Sequence, residues 1–121
     1  MKNGLMRAFK IIEVQLGDAS ERYFDEMLCH ARDSGRLPKW IIQWYRSDKW
    51  SKDDRRGVDF GITTDKGVIK INVKSSRFYA RRFACRHNHH HILPFVVHIS
   101  ESEEDTLSRF LTFISGEYRR L

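Results

Sequence analysis

The feature that most restricts this chain is a pair of alternating runs joined by three turn-forming residues. Val58-Asp59-Phe60-Gly61-Ile62-Thr63 alternates apolar with polar or small residues. Val68 to Lys74 repeats the pattern, with Ile69, Ile71 and Val73 on one side and Lys70, Asn72 and Lys74 on the other. A period of two puts successive side chains on opposite faces of a strand. Asp65-Lys66-Gly67 is turn chemistry, because Asp bonds to nearby backbone and Gly tolerates positive φ. The segment predicts a β-hairpin with Val58, Phe60, Ile62, Ile69, Ile71 and Val73 on its apolar face. With a two- or four-residue loop, Asp59 faces Asn72, and Lys74 follows on the same polar face. A three-residue loop places Asp59 opposite Val73 instead.

Other elements are read around this hairpin. Tyr23, Phe24, Met27, Leu28 and Ala31 recur at helical spacing, so a helix is expected with Asp18 as N-cap and Gly35 as its stop. The stretch before it, to Leu16, fits strand or helix. Trp40 to Tyr45 reads as a strand, with a helix as the rival, and Ser47 to Gly57 as a loop. A helix is expected from Ser75 to about Arg86, with Phe78, Phe83 and Tyr79 inward. Leu93 to Ile99 reads as a buried strand. Ser102 to Ile114 reads as a helix, with Ser102 and Asp105 as a capping box and Gly116 as its end. No repeat or linker interrupts residues 1–121, which are read as one α/β (α+β) domain.

Composition narrows the partners. Hydrophobic residues make up 40% of the 121, with eight Phe, three Trp and four Tyr, so a disordered tail is excluded. No apolar run approaches the ~18 residues of a membrane span, and the N-terminal residues lack a signal peptide's apolar core. A cytoplasmic protein with reduced Cys29 and Cys85 is expected. The net charge of +6 is unevenly spread. Residues 36–57 are basic, and 74–91 carry Lys74, Arg77, Arg81, Arg82 and Arg86 with no acid. Charge runs are commonly solvated faces; the alternative is a cleft that holds phosphates.

The polar face of the hairpin suits that alternative. A carboxylate such as Asp59 is a hard ligand for Mg²⁺, and the Asn72 amide oxygen is a weaker one. A lysine beside the metal orients or deprotonates water and neutralises charge on a phosphate. Each residue also has a plainer role. Asp59 caps a bulge or pairs with Arg55 or Arg56; Glu21 is the N3 member of a capping box; Ser75 and Ser76 cap the next helix or donate to a phosphate. Trp40 and Trp44 fit the core, whereas Trp50, in a charged loop, is the candidate for stacking on bases. Asp53 and Asp54 either supply a further acid or pair with Arg55 and Arg56. Cys85 with His87, His89, His90 and His91 suggests zinc, but its only thiol complement is Cys29. Exposed histidines, cationic below about pH 6.5, are the favoured reading.

Gly57-Val58-Asp59-Phe60, a turn, and Ile71-Asn72-Val73-Lys74-Ser75-Ser76 resemble the PD-(D/E)XK nuclease superfamily. The resemblance covers roughly Asp18 to Ile114. It implies a restriction-endonuclease-like αβββαβ core, a mixed central sheet flanked by helices, and here a C-terminal helix. It also implies a Mg²⁺- or Mn²⁺-dependent endonuclease hydrolysing phosphodiester bonds, with DNA the expected substrate. Asp59, Asn72, Glu21 and the Val73 carbonyl become metal ligands and Lys74 the catalytic lysine. Arg77, Arg81, Arg82, Arg86, Ser75, Ser76 and Trp50 become nucleic-acid contacts. Asn72 stands where the motif has its second acid, which removes one negative charge and weakens Mg²⁺ binding. The alternative is a catalytically inactive nuclease-like module that binds nucleic acid or a protein. A homodimer is a further option, because enzymes acting on duplex DNA often need two active sites.

Overall fold

The hairpin forms the frame for the other elements. In the computed structural model, residues 2–48, 51–52, 57–87 and 91–121 are described, with side chains except at 2–7, 9–14, 86 and 87. The order is α1 (Lys2–Asp33), β1 (Ile41–Arg46), β2 (Phe60–Thr64), β3 (Gly67–Lys74), α2 (Arg77–His87), β4 (Ile92–Val96) and α3 (Glu103–Arg119). Thr64 pairs with Gly67 and Phe60 with Ile71, so Asp65-Lys66 is a two-residue loop. The Thr64 hydroxyl donates to Gly67 O at 2.7 Å and accepts the Lys66 N–H at 3.1 Å.

The four strands form one sheet in the order β1-β2-β3-β4. β1 and β2 are antiparallel, as are β2 and β3, while β4 lies parallel to β3. A parallel neighbour needs a crossover, and α2 supplies it. Among the described residues the architecture is α+β, a mixed sheet with three helices. Trp40–Tyr45 forms a strand rather than its helical rival, one residue late.

The core lies on one face of the sheet. Phe24, Met27, Leu28 and Ala31 of α1 pack with Phe60, Ile62, Ile69, Ile71 and Val73 of the hairpin, and with Leu107, Phe110 and Ile114 of α3. Phe24 sits in an aromatic nest, its ring edge-on to Phe60 at 4.8 Å and to Phe110 at 5.1 Å. A smaller cluster of Val58, Phe83 and Ile92 joins α2 to the sheet. Trp40 and Trp44 are only partly buried against the core. The Trp44 indole N–H donates to Asp25 at 2.9 Å, and Trp40 stacks on Tyr118 at 4.0 Å.

Several boundaries differ from expectation. α1 runs unbroken through Gly17 and Asp18, so Asp18 is not an N-cap and Glu21 is not in a capping box. A helical glycine costs about 1 kcal/mol, which a helix packed along a sheet absorbs. The far end behaves as expected. Gly35, at φ +70, donates to Arg32 O while Arg36 donates to Ala31 O, the two bonds of a Schellman motif. α2 begins at Arg77, and its Phe78 points outward rather than inward. β4 ends at Val96; Val97 is still buried but Ile99 is exposed. Ser102 caps α3 by accepting the Asp105 N–H, and α3 passes through Gly116 to Arg119. Among the described residues, no helix is long and apolar enough to cross a membrane.

Candidate functional site

A cleft of about 260 Å³ opens where β2 begins and β3 ends. It is lined by Gly17 and Glu21 of α1, by Asp59, by Asn72, Val73 and Lys74 of β3, and by Ser75 and Tyr79. All the expected metal and catalytic residues therefore meet in one place. Each is put there by backbone geometry. Gly17 and Glu21 are one helical turn apart on the same face of α1. Asn72 and Lys74 share one face of β3.

Asp59 does not pair with Asn72 as expected. The ladder stops at Phe60, and the Asp59 N–H donates out of register to Ile71 O at 2.9 Å. The chain turns at Gly57, whose φ is +88. Where the ladder ends, Asp59 Oδ2 accepts the Val73 N–H at 2.7 Å. The carboxylate thus does the work of a missing strand carbonyl, and Val58 is released into the cluster with Phe83 and Ile92.

Asn72 is 3% exposed, and its Nδ2 donates to Gly57 O at 2.7 Å. That bond fixes which amide atom is which. Oδ1 is buried with no hydrogen-bond partner among the described residues. An acceptor left so costs about 1–3 kcal/mol. The Ser47 hydroxyl is in the same condition, and the Ser47 N–H donates to Asp59 O. Two unsatisfied polar atoms thus flank the Asp59 segment.

The charges around the cleft are mixed. Glu21 Oε1 lies 4.0 Å from Arg46 Nε, and Lys74 Nζ sits 5.3 Å from the centre of the Phe83 ring. Among the described residues, no three His, Cys, Asp or Glu side chains come together. The cleft offers two carboxylates and an amide oxygen, a hard oxygen set suited to Mg²⁺ or Mn²⁺ rather than zinc.

Ser75 lines the cleft, whereas Ser76 caps α2 by accepting the Tyr79 N–H at 3.3 Å. Arg77, Arg81 and Arg82 are exposed on α2. Trp50, Asp53, Asp54, Arg55, Arg56, His89, His90 and the side chains of Arg86 and His87 lie outside the described residues. Gly17, Tyr79 and Arg46 were not marked as site residues by the sequence. Spacing carries a signal for two of them: Gly17 is four residues before Glu21, and Tyr79 four after Ser75. Compared with protein-family models, with curated proteins and with solved structures, the chain matches none.

Proposed function

We propose that the chain is a metal-dependent nuclease with a restriction-endonuclease-like core, acting on DNA. One observation carries the reading: Glu21, Asp59, Asn72, Val73 and Lys74 line a single cleft. The element order, a helix, three strands, a crossover helix and a strand, is what the motif resemblance implies. The unsatisfied Asn72 Oδ1 adds support, because a cation or a substrate donor would complete its bonding.

Asp59, Glu21 and the Asn72 amide oxygen would hold the cation. When bound, a divalent ion polarises a phosphoryl oxygen and lowers the pKa of its water. The Lys74 ammonium orients the attacking water and offsets charge on the phosphate. Ser75 donates to a phosphate oxygen from the cleft wall. Arg77, Arg81 and Arg82 hold the backbone of the nucleic acid, which supplies affinity without sequence readout.

The test is Mn²⁺-dependent cleavage of supercoiled plasmid and forked DNA by the wild type and by Lys74→Ala. The proposal expects cleavage by the first and a loss of about 100-fold or more in the second. Equal activity removes Lys74 from catalysis. A second reading, a non-catalytic nucleic-acid or protein-binding module, is favoured by the internal bonds of the cleft residues. Asp59 Oδ2 holds Val73, Asn72 Nδ2 holds Gly57, and Glu21 faces Arg46. Nucleic-acid binding without metal-dependent cleavage is its signature.

A further inference from the structure

We infer that the outer face of α2 is a stacking platform for an unpaired nucleotide, so that single-stranded or forked nucleic acid binds in preference to intact duplex. The inference rests on reading the adjoining cleft as a phosphodiester site.

Phe78 and Phe83 are five residues apart, about 140° around a helix, so they cannot share a face. Phe83 is buried with Val58 and Ile92, which leaves Phe78 64% exposed. Two side chains lie beside its ring. Tyr79 meets it edge-on at 5.5 Å, and the Arg82 guanidinium carbon lies 5.8 Å from its centre. Tyr79 also lines the cleft with Lys74 and Ser75. Phe78 is therefore one ring away from the candidate chemistry.

The surroundings are cationic. Arg77, Arg81 and Arg82 are exposed, and residues 74–91 contain no acid. A phosphate-attracting surface with an aromatic ring presented in it is the arrangement that grips single strands. An intact duplex hides its base faces in the stack and offers the ring nothing. The arginines serve both substrates through phosphates, so discrimination falls on Phe78. An anionic lipid surface also attracts a basic helix, but interfacial helices need an apolar stripe. Among the described residues, the outer face of α2 presents one exposed ring, Phe78.

The experiment is fluorescence anisotropy in EDTA, which separates binding from any cleavage. The probes are a labelled single strand of about 20 nucleotides, a fork, and a blunt duplex of the same sequence. The wild type is expected to bind the first two more tightly than the duplex. Phe78→Ala should weaken both about 5- to 100-fold with little change for the duplex, and Phe78→Trp should retain them. Arg82→Ala should weaken all three and flatten their salt dependence. Unchanged single-strand affinity in Phe78→Ala, an equal loss on all probes, or wild-type preference for the duplex overturns the inference. So does Phe78-dependent binding to phosphatidylserine vesicles with no binding to the single strand. Loss of the cleavage activity alone would leave the inference standing, since no metal is present in this assay.

Discussion

Asn72 holds the Gly57 turn through a side-chain donor that a carboxylate lacks. That bond gives a structural reason for an amide at this position. Asn72→Asp would turn a buried negative charge toward the Gly57 carbonyl. At pH 7 it should lower stability by about 1–3 kcal/mol, measured by urea unfolding. The loss should shrink in acid, because a protonated carboxyl can donate again. Glu101 offers a second test. Hydrogen bonds from Arg109, and then from Thr106, hold its carboxyl down to about 2 from an ordinary 4.5. A depressed carboxylate pKa stabilises the fold above the unfolded value, and that stabilisation is lost as pH falls from about 4.5 toward 2. Glu101→Gln should therefore flatten the melting temperature against pH across that window. An unchanged acid limb would show that the Arg109 contact has no effect on folding.

At the scale of elements, the turn at Gly57 couples the hairpin to α2. A Cβ there would lie 2.5 Å from Phe83 Cε2, on a backbone at φ +88. Gly57→Ala should cost at least about 1–2 kcal/mol from the backbone alone. Chemical denaturation checks this; a neutral result would mean that Phe83 moves aside and the turn relaxes. The hairpin was legible because its period of two is unbroken on both sides of a recognisable turn. The start of α1 was not, because Gly17-Asp18 has the chemistry of a boundary and tertiary packing carries the helix through it. The break of β2 at Asp59 was legible only as the plainer alternative, an aspartate capping a bulge; the folded chain shows that its side chain takes the place of the strand carbonyl. The direction of Phe78 was recoverable in part, since two phenylalanines five apart on a helix cannot both be buried on one side. Which of them turns inward depends on Val58 and Ile92, which are distant in sequence.

Across the whole molecule, elements remote in sequence bring Glu21, Asp59, Asn72, Lys74 and Tyr79 to one end of the sheet. The sequence indicated most of this group because a strand's alternation fixes Asn72 and Lys74 together. It did not reveal the Asn72–Gly57 bond or the Arg46–Glu21 contact, which arise only on folding. The acid-free segment 74–91 places exposed arginines on α2 beside the same end. Of that segment's charges, Lys74 lines the cleft, whereas Arg77 lines a separate cavity against β4 and α3. The most direct measurement is a calorimetric titration of the wild type and Asp59→Asn with Mn²⁺ in the absence of nucleic acid. An asparagine oxygen can still accept the Val73 N–H, so that bond is kept while one charge is removed. The metal-dependent reading predicts saturable binding by the wild type and a weakening of about 10-fold or more in the variant. No saturable heat in the wild type, or equal affinity in the two proteins, would contradict it.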